Sequence, residues 1–366
     1  MDIRIVRMAR LLVEYSVNVQ RGDRVAILSS PAAADLVREV YARVLERGGN
    51  PLVFLRLPGL DEIFFRMAND DQLAFVDPVS KLVYEDFEAL INIRALENTR
   101  ELSGIDPARQ RLRNQAMRPT MQRYMERGAS GELKWNGTLF PTPASAQDAD
   151  MSTRDYEDFV YGACFCDREA PVAEWQRVHD EQERVVQWFK GRDQVKVIGP
   201  NADLTLSVKD RIFINSDGHH NMPSGEVFTG PVEDSANGWV RFTYPAIYGG
   251  REVEGVELYF EAGKVVKATA QKNETYLLHM LDTDEGSRYL GEFAIGTNFG
   301  IQKFTRNILF DEKIGGSFHL ALGAGYPDTG SRNQSAIHWD MICDMRDGGE
   351  IWADGELLYK GGAFVI

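Results

Sequence analysis

The chain has 366 residues, of which 43% are hydrophobic and 26% are charged. At roughly 150 residues per domain this length predicts two domains or one large one, and the composition excludes an intrinsically disordered chain. Asp and Glu number 55 against 41 Lys and Arg, a formal net charge of −14, which argues against nucleic acid or an anionic membrane as a partner.

The sequence is expected to be that of a cytoplasmic protein. Its three cysteines, Cys164, Cys166 and Cys343, are few and odd in number for a disulfide framework, so a reducing compartment is the simpler interpretation. The start of the chain resembles an amphipathic helix carrying Arg7 and Arg10 rather than a signal peptide. No stretch approaches the roughly 18 apolar residues of a membrane-spanning helix.

The first half of the sequence alternates between strand-like and helical segments. Apolar strand patterns are found at residues 24–30, 51–57 and 89–96. Helical periodicity is found at residues 32–47, 107–127, 152–163 and 175–191. Strands separated by helices of this length predict a parallel sheet with right-handed crossovers.

After residue 191 the sequence becomes rich in glycine and in alternating, strand-like patterns. Such patterns occupy residues 195–198, 203–208 and 241–248. Two hairpins are predicted, one turning at Ala262 and Gly263 and the other at Asp354 and Gly355. We therefore predict an α/β N-terminal domain with a mainly parallel sheet, residues 1–192, and a mostly β (α+β) C-terminal domain, residues 193–366.

Candidate metal ligands are concentrated in the C-terminal half. His338 and Asp340 are two residues apart, so on a strand both side chains point to the same face. In total the candidates are four carboxylates and two imidazoles: Glu226, Glu292, Glu312, His319, His338 and Asp340. This mixed oxygen and nitrogen set suits Zn²⁺, Mn²⁺ or Co²⁺ in an open catalytic site, and four carboxylates would offset two neighbouring cations. Because spacing alone does not show that the six residues converge, packed core histidines remain an alternative.

The motifs around these residues resemble the thermophilic aminopeptidase family, metallopeptidase family M29, which includes aminopeptidases T, S and II. The resemblance runs along nearly the whole chain, including residues 15–25 (YSVNVQRGDRV) and 135–151 (WNGTLFPTPASAQDADM). Its most specific matches are residues 221–227 (NMPSGEV), 291–293 (GEF), 309–312 (LFDE), 319–326 (HLALGAGY) and 338–341 (HWDM). The resemblance implies metal ligands at the six positions above and a catalytic tyrosine at Tyr326. Compared with the family, the spacing from Glu312 to His319 is longer and the connection from Tyr326 to His338 is shorter.

The resemblance also implies an activity. The enzyme would be a homodimeric, metal-dependent aminopeptidase with two divalent ions (Zn, Co or Mn) in its C-terminal domain, acting on peptides with a free N-terminus. A metal-bridging hydroxide would attack the first peptide bond, with Glu292 as the bridging ligand and either Glu226 or Glu292 as the general base. Tyr326 would donate a hydrogen bond to the developing oxyanion.

Two other functions remain open from the sequence. Iron-dependent dihydroxypyridine ring-cleaving dioxygenases are similar to this family, and His338, Asp340 and one more histidine would make a mononuclear iron site. A single iron would leave Glu226, Glu292 and Glu312 without a role, which argues against this alternative. The second alternative is a non-catalytic binding protein of the same fold. Metal content discriminates among the three: two zinc- or cobalt-like ions, one iron, or none.

Overall fold

A computed structural model describes residues 2–366 of the protein. The chain divides into two compact units. The first comprises the chain up to Trp175 together with Gly218–Pro223, and the second comprises Gln176–Asp217 together with Ser224–Ile366. The domain boundary at residue 192 stays a prediction.

Helices and strands are numbered in chain order. The helices are α1 (Ile3–Arg10), α2 (Ala34–Glu46), α3 (Leu60–Met67), α4 (Asp70–Ala74), α5 (Pro78–Asp86), α6 (Pro107–Ala129), α7 (Pro143–Asp148), α8 (Thr153–Ala163), α9 (Pro171–Phe189), α10 (Glu274–Leu281) and α11 (Ile308–Asp311). The strands are β1 (Arg24–Ser29), β2 (Asn50–Leu55), β3 (Ala89–Arg94), β4 (Lys134–Leu139), β5 (Gln194–Gly199), β6 (Ala202–Ser207), β7 (Ile214–Ser216), β8 (Asn221–Met222), β9 (Glu226–Thr229), β10 (Asn237–Arg241), β11 (Ala246–Tyr248), β12 (Arg251–Val253), β13 (Glu257–Glu261), β14 (Lys264–Thr269), β15 (Leu290–Gly296), β16 (Ser317–Gly323), β17 (His338–Asp344), β18 (Glu350–Ala353), β19 (Glu356–Lys360) and β20 (Ala363–Phe364). Among residues 2–366, no helix is both long enough and apolar enough to cross a membrane.

The first unit is built on a five-stranded sheet in the order β2-β1-β3-β4-β8, in which every neighbouring pair is parallel. Parallel sheets are normally covered on both faces, so their central strands are apolar throughout. Val25, Ile27 and Ile91 are accordingly fully buried, and Ile27 lies opposite Ile91. The predicted parallel sheet is thereby confirmed. Strand β4 (KWNGTL) is not predicted from the sequence, because it contains Asn and Gly, which are uncommon in strands.

The second unit is mostly β. Eight strands form an antiparallel sheet in the order β14-β13-β10-β6-β5-β18-β19-β20, and five form another in the order β17-β16-β15-β9-β7. Both sheets contribute to one apolar core, with Val197 and Leu204 from the first and Phe293 and Phe318 from the second. These observations confirm the predicted fold class. The two predicted hairpins are the β13–β14 and β18–β19 pairs.

One predicted strand differs from the structure. The pattern of residues 241–248 predicts a single strand, whereas β10 ends at the first of these residues and β11 begins after Pro245. Proline has no N–H group to donate to a sheet ladder. The N–H of Thr243 donates instead to the carbonyl of Ile342 in β17, so the chain leaves the eight-stranded sheet at this point.

Gly238 provides a test of packing within the eight-stranded sheet. Its φ is +119°, and an added Cβ would lie 2.0 Å from the carbonyl oxygen of Asp203 on β6. Gly348 is a matched control, because its φ is +69° and an added Cβ has no atom within 4 Å. We expect Gly238→Ala to lower the free energy of unfolding by about 2–3 kcal/mol, against about 1 kcal/mol for Gly348→Ala. Urea unfolding measures both, and equal losses would contradict the packing argument.

Candidate metal centre

Three adjacent strands of the five-stranded antiparallel sheet in the second unit carry most of the predicted ligands. In the antiparallel pairing of β15, β16 and β17, Glu292 and Asp340 both lie opposite Ala321. Residues directly opposite one another on antiparallel strands point to the same face of the sheet. The two carboxylates therefore stand on one face, on either side of the small side chain of Ala321.

Both histidines and Glu226 lie on this same face. His319 precedes Ala321 by two residues on β16, and His338 precedes Asp340 by two residues on β17. Side-chain alternation therefore places both histidines on the face that carries the carboxylates. Glu226 begins β9 and lies opposite Gly296 of β15. Gly296 is an even number of residues from Glu292 on the same strand, so Glu226 points to the same face as Glu292. The structure thus brings five of the six predicted ligands to one surface.

The opposite face of these strands explains the orientation of the ligands. The intervening residues are large, apolar and buried in the core of the second unit: Phe293, Ile295, Phe318, Leu320, Trp339 and Met341. A register shift of one residue would expose this whole set and turn the carboxylates into the core. The apolar pattern therefore specifies which face carries the ligands.

The candidate ligand atoms form two groups that share Glu292. Nε2 of His319 is 3.3 Å from Oε1 of Glu292 and 3.5 Å from Oε2 of Glu226. Nε2 of His338 is 3.4 Å from Oε2 of Glu292 and 3.4 Å from Oδ1 of Asp340. Within each group the ligand atoms lie within 4.8 Å of one another, and no other His, Cys, Asp or Glu cluster in residues 2–366 does so. Each oxygen of Glu292 therefore faces a different imidazole.

The hydrogen bond of His338 shows that its group suits a cation. Nδ1 of His338 lies 2.7 Å from the carbonyl oxygen of Ala324, which only accepts, so Nδ1 carries a proton. In a neutral ring, Nε2 then turns a lone pair toward the oxygens of Glu292 and Asp340, which is repulsive unless a proton or a cation lies between them. Oε2 of Glu226 is likewise buried without a hydrogen-bond partner. These acceptors fit a divalent ion that takes nitrogen and oxygen donors.

The pKa values of these side chains express the same demand for positive charge. Burial disfavours ionisation of Glu292, but hydrogen bonds with His319 and His338 outweigh it and lower the pKa of Glu292 to about 2. Burial also disfavours both imidazolium ions, yet the neighbouring carboxylates raise the pKa of His338 to about 12 and that of His319 to about 9. Burial raises the pKa of Glu226. Without another cation, both imidazoles are therefore positively charged imidazolium ions at neutral pH.

Glu312, the sixth predicted ligand, lies outside these two groups. Its carboxylate pairs with the ammonium of Lys313, whose side chain is completely buried. Nζ of Lys313 is also 3.6 Å from Oε1 of Glu226. Burial opposes the charge of this lysine, but Glu226 and Glu312 outweigh burial and raise its pKa. Lys313 is absent from the residues predicted for the site, because a lysine beside a glutamate is ordinarily a solvated surface pair.

Tyr326 lies in the loop that follows β16. Its ring centroid is 5.2 Å from that of His338 and 5.5 Å from that of Phe228, with the rings inclined steeply in both pairs. Phe228 follows Glu226 by two residues on β9, so the tyrosine ring is adjacent to strands on both sides of the centre. Although the residue is 43% exposed, desolvation beside the centre and then the charge of Glu292 raise the pKa of Tyr326 above its usual range. Its phenol therefore stays protonated and available as a hydrogen-bond donor.

Comparison with known proteins decides the family. A family model described as thermophilic metalloprotease (M29) matches residues 1–364. The chain belongs to the M29 family. This M29 protein is 28% identical to aminopeptidase 2 of Geobacillus stearothermophilus, over 93% of this chain and 92% of that protein. The resemblance expected from the motifs is confirmed, and with it the class of enzyme, a metal-dependent peptidase.

Two solved structures share the fold of this M29 protein. Wild-type AmpT from Thermus thermophilus matches with a TM-score of 0.85 and 22% sequence identity, over 99% of each chain. The 2,5-dihydroxypyridine dioxygenase from Pseudomonas putida KT2440 matches with a TM-score of 0.62 and 15% identity, over 100% of this chain and 98% of that one. At these identities the likeness shows the fold alone.

Proposed function

We propose that this M29 protein is a metallo-aminopeptidase that removes the N-terminal residue from peptides. One observation carries the proposal: two ligand groups joined by Glu292 lie on one face of a sheet, in a member of a metallopeptidase family. The relative named aminopeptidase 2 supports cleavage at the N-terminal end rather than within the peptide.

The proposed centre would hold two divalent ions, Zn²⁺, Co²⁺ or Mn²⁺, with Glu292 available to both. The ligands fall into two overlapping sets: Glu226, Glu292 and His319, and Glu292, His338 and Asp340. Glu312 is proposed as a further ligand, because Lys313 engages its Oε1 and leaves Oε2 for an ion. When bound, such ions supply a hydroxide nucleophile at neutral pH and polarise the substrate carbonyl.

The remaining roles fall to side chains of the chain itself. Because Glu292 belongs to both ligand groups and Glu226 to only one, we assign the general base to Glu226, whose pKa is raised by burial, which suits proton transfer. Tyr326, protonated and packed against His338, is proposed to donate a hydrogen bond to the oxyanion. One carboxylate of this face is proposed to accept a hydrogen bond from the free α-amino group of a peptide, which would limit cleavage to its first residue.

The dioxygenase alternative makes a different demand on the same residues. One iron would use His338, Asp340 and His319, whereas in this structure Glu292 lies between the two imidazoles and Glu226 adjoins His319. This arrangement favours two ions over one. The homodimer and the cytoplasmic location stay predictions.

A substrate panel tests the proposed activity. We expect the protein to hydrolyse aminoacyl-arylamides, to lose this activity in a chelator, and to regain it with Co²⁺, Zn²⁺ or Mn²⁺. Acetylating the α-amine of the substrate should cost at least about 2–3 kcal/mol of transition-state binding, measured as the ratio of kcat/KM values. Full activity in excess chelator, with metal absent by elemental analysis, contradicts metal dependence. Equal rates on blocked and free substrates contradict the aminopeptidase assignment.

Glu292→Gln tests the shared ligand. Because Glu292 belongs to both groups, the variant should lose metal from both, falling from about two ions per chain to less than one. Asp344→Asn is a matched control, since Asp344 lies on the same strand as Asp340 but pairs with Arg346. The control should retain its metal. Elemental analysis after dialysis measures both variants, and a Glu292→Gln protein with unchanged metal content rules out the bridging role.

Proton release tests the electrostatics of the imidazoles. The pKa values of about 12 for His338 and about 9 for His319 mean that both rings are charged in the metal-free protein at pH 7. Ligation requires neutral rings, so metal binding should release protons, and affinity should fall as the pH is lowered from about 8 to about 6. Calorimetry in two buffers of different ionisation enthalpy counts the protons. Binding without proton release would show that the rings are neutral before the metal arrives.

A further inference from the structure

The loop that carries Tyr326 is closed at its base by backbone hydrogen bonds. The N–H of Ala324 donates to the carbonyl of Ile337 at 2.7 Å, and the N–H of Gly325 donates to the carbonyl of Asn333 at 3.1 Å. These bonds define where the loop leaves the sheet. Tyr326 follows Gly325 directly, and the segment from Tyr326 to Arg332 is held by further contacts.

The returning arm of this loop, just before Asn333, is tied to a carboxylate from another segment. Oε1 of Glu233 accepts the backbone N–H of Arg332 at 2.6 Å, and the hydroxyl of Ser331 lies 3.5 Å from the same oxygen. The carbonyl of Thr329 accepts the N–H of Ile212 at 3.0 Å. Residues 329–332 are thus held by the segments that precede β7 and follow β9, whereas Asp284 holds the end of the loop by accepting the N–H of Ala336 at 2.6 Å.

Arg211 orients the carboxylate of Glu233. Its guanidinium donates to Oε2 of Glu233 at 2.7 Å, and the arginine side chain is only 8% exposed. Burial raises the pKa of Glu233, but the Arg332 N–H and Arg211 outweigh this and lower it, so the carboxylate is ionised. One oxygen therefore faces the arginine and the other makes a charge-assisted bond to the loop, which is stronger than a neutral one.

The backbone around Glu233 is itself fixed. The N–H of Val232 donates to the carbonyl of Ser207 at 2.9 Å, at the end of β6. On the other side, Gly263 packs so closely that an added Cβ would lie 1.9 Å from the carbonyl oxygen of Glu233. Glu233 is thus a rigid point to which the loop is attached.

We propose that Glu233, oriented by Arg211, is a positioning residue that holds the 324–336 loop so that the ring of Tyr326 stays beside His338. The inference rests on the proposed function, because it assumes that the Tyr326 hydroxyl serves the reaction. The side-chain hydrogen bonds of Glu233 go to Arg211, Ser331 and Arg332, none of which is a proposed ligand, so Glu233 acts through the loop.

Four variants test this role by kinetics on the metal-loaded enzyme. Tyr326→Phe should lower kcat by about 10²–10³, the effect of a lost oxyanion donor. Glu233→Ala should lower kcat by about 10–10², the range expected for a displaced catalytic group, with little change in KM. Glu233→Gln keeps one acceptor, for the Arg332 N–H, but turns its amide NH2 toward Arg211, so it should recover kcat only in part, to a value between those of Glu233→Ala and the unaltered enzyme. The double variant Glu233→Ala/Tyr326→Phe should be no slower than Tyr326→Phe alone.

A matched control and a measurement independent of activity complete the test. Glu257→Ala removes another Arg–Glu pair of the second unit, with Arg241, away from the loop, and should leave kcat unchanged. Hydrogen exchange of peptides covering the 324–336 loop should become faster in Glu233→Ala and stay unchanged in Glu257→Ala. Thermal unfolding confirms that each variant is folded.

The outcomes separate this inference from the proposed function. Normal kcat in Glu233→Ala beside a slow Tyr326→Phe overturns the positioning role and leaves the function intact. A double variant slower than Tyr326→Phe alone also overturns it, because Glu233 then acts by another route. Normal kcat in Tyr326→Phe overturns the catalytic assignment of the tyrosine. Unchanged exchange of the loop in Glu233→Ala overturns the anchor whatever the activity.

Discussion

Alternation of side chains along four neighbouring strands is the constraint on which the rest of this structure depends. On one face, aromatic side chains such as Phe293, Phe318 and Trp339 enter the core, and each stabilises the fold by about 1.5–3 kcal/mol. On the other face stand the carboxylates and imidazoles. A slipped register would forfeit the aromatic burial and place ionised groups in an apolar core, where they are strongly disfavoured. Packing on one side of the sheet therefore maintains the ligand geometry on the other.

The charge of the polar face is compensated differently at its two ends. Beside Glu226 and Glu312 stands the buried ammonium of Lys313, a permanent part of the chain. Beside Glu292 and Asp340 the compensating charge is a proton on an imidazole, which a divalent ion can replace. A cation that binds only the folded protein stabilises it by mass action, so an ion bound here would make the stability of the fold depend on metal concentration and pH. A buried carboxylate cluster is thus tolerated because one end has a fixed cation and the other an exchangeable one.

How much of the site the sequence predicts depends on how local each relation is. The shared face of His338 and Asp340 follows from alternation along one strand. The position of Glu292 on the other side of Ala321 from Asp340 depends on strand register, which tertiary pairing sets, so only the motif resemblance could suggest that these residues converge. The parallel sheet followed from its apolar strands, whereas β4 did not, because its Asn and Gly weaken the pattern. Lys313 is recognisable as a site residue only once folding has buried it beside Glu226, a residue distant in sequence.

The placement of Tyr326 shows why a loop residue needs support that strand residues do not. Five of the proposed ligands stand on strands whose hydrogen-bonded ladders hold them, whereas Tyr326 is carried by a loop, the more mobile kind of element. Arg211 lies before β7 and Glu233 lies after β9, so this ion pair belongs to the side of the sheet formed by β7 and β9. Glu226 begins β9 and lies on the same side. The hydrogen bond of Ala324 to Ile337 holds the same loop on the side of β16 and β17. Tyr326 is thus placed by contacts from both sides of the proposed centre, one near Glu226 and the other near His338, which a loop needs because it has no ladder of its own.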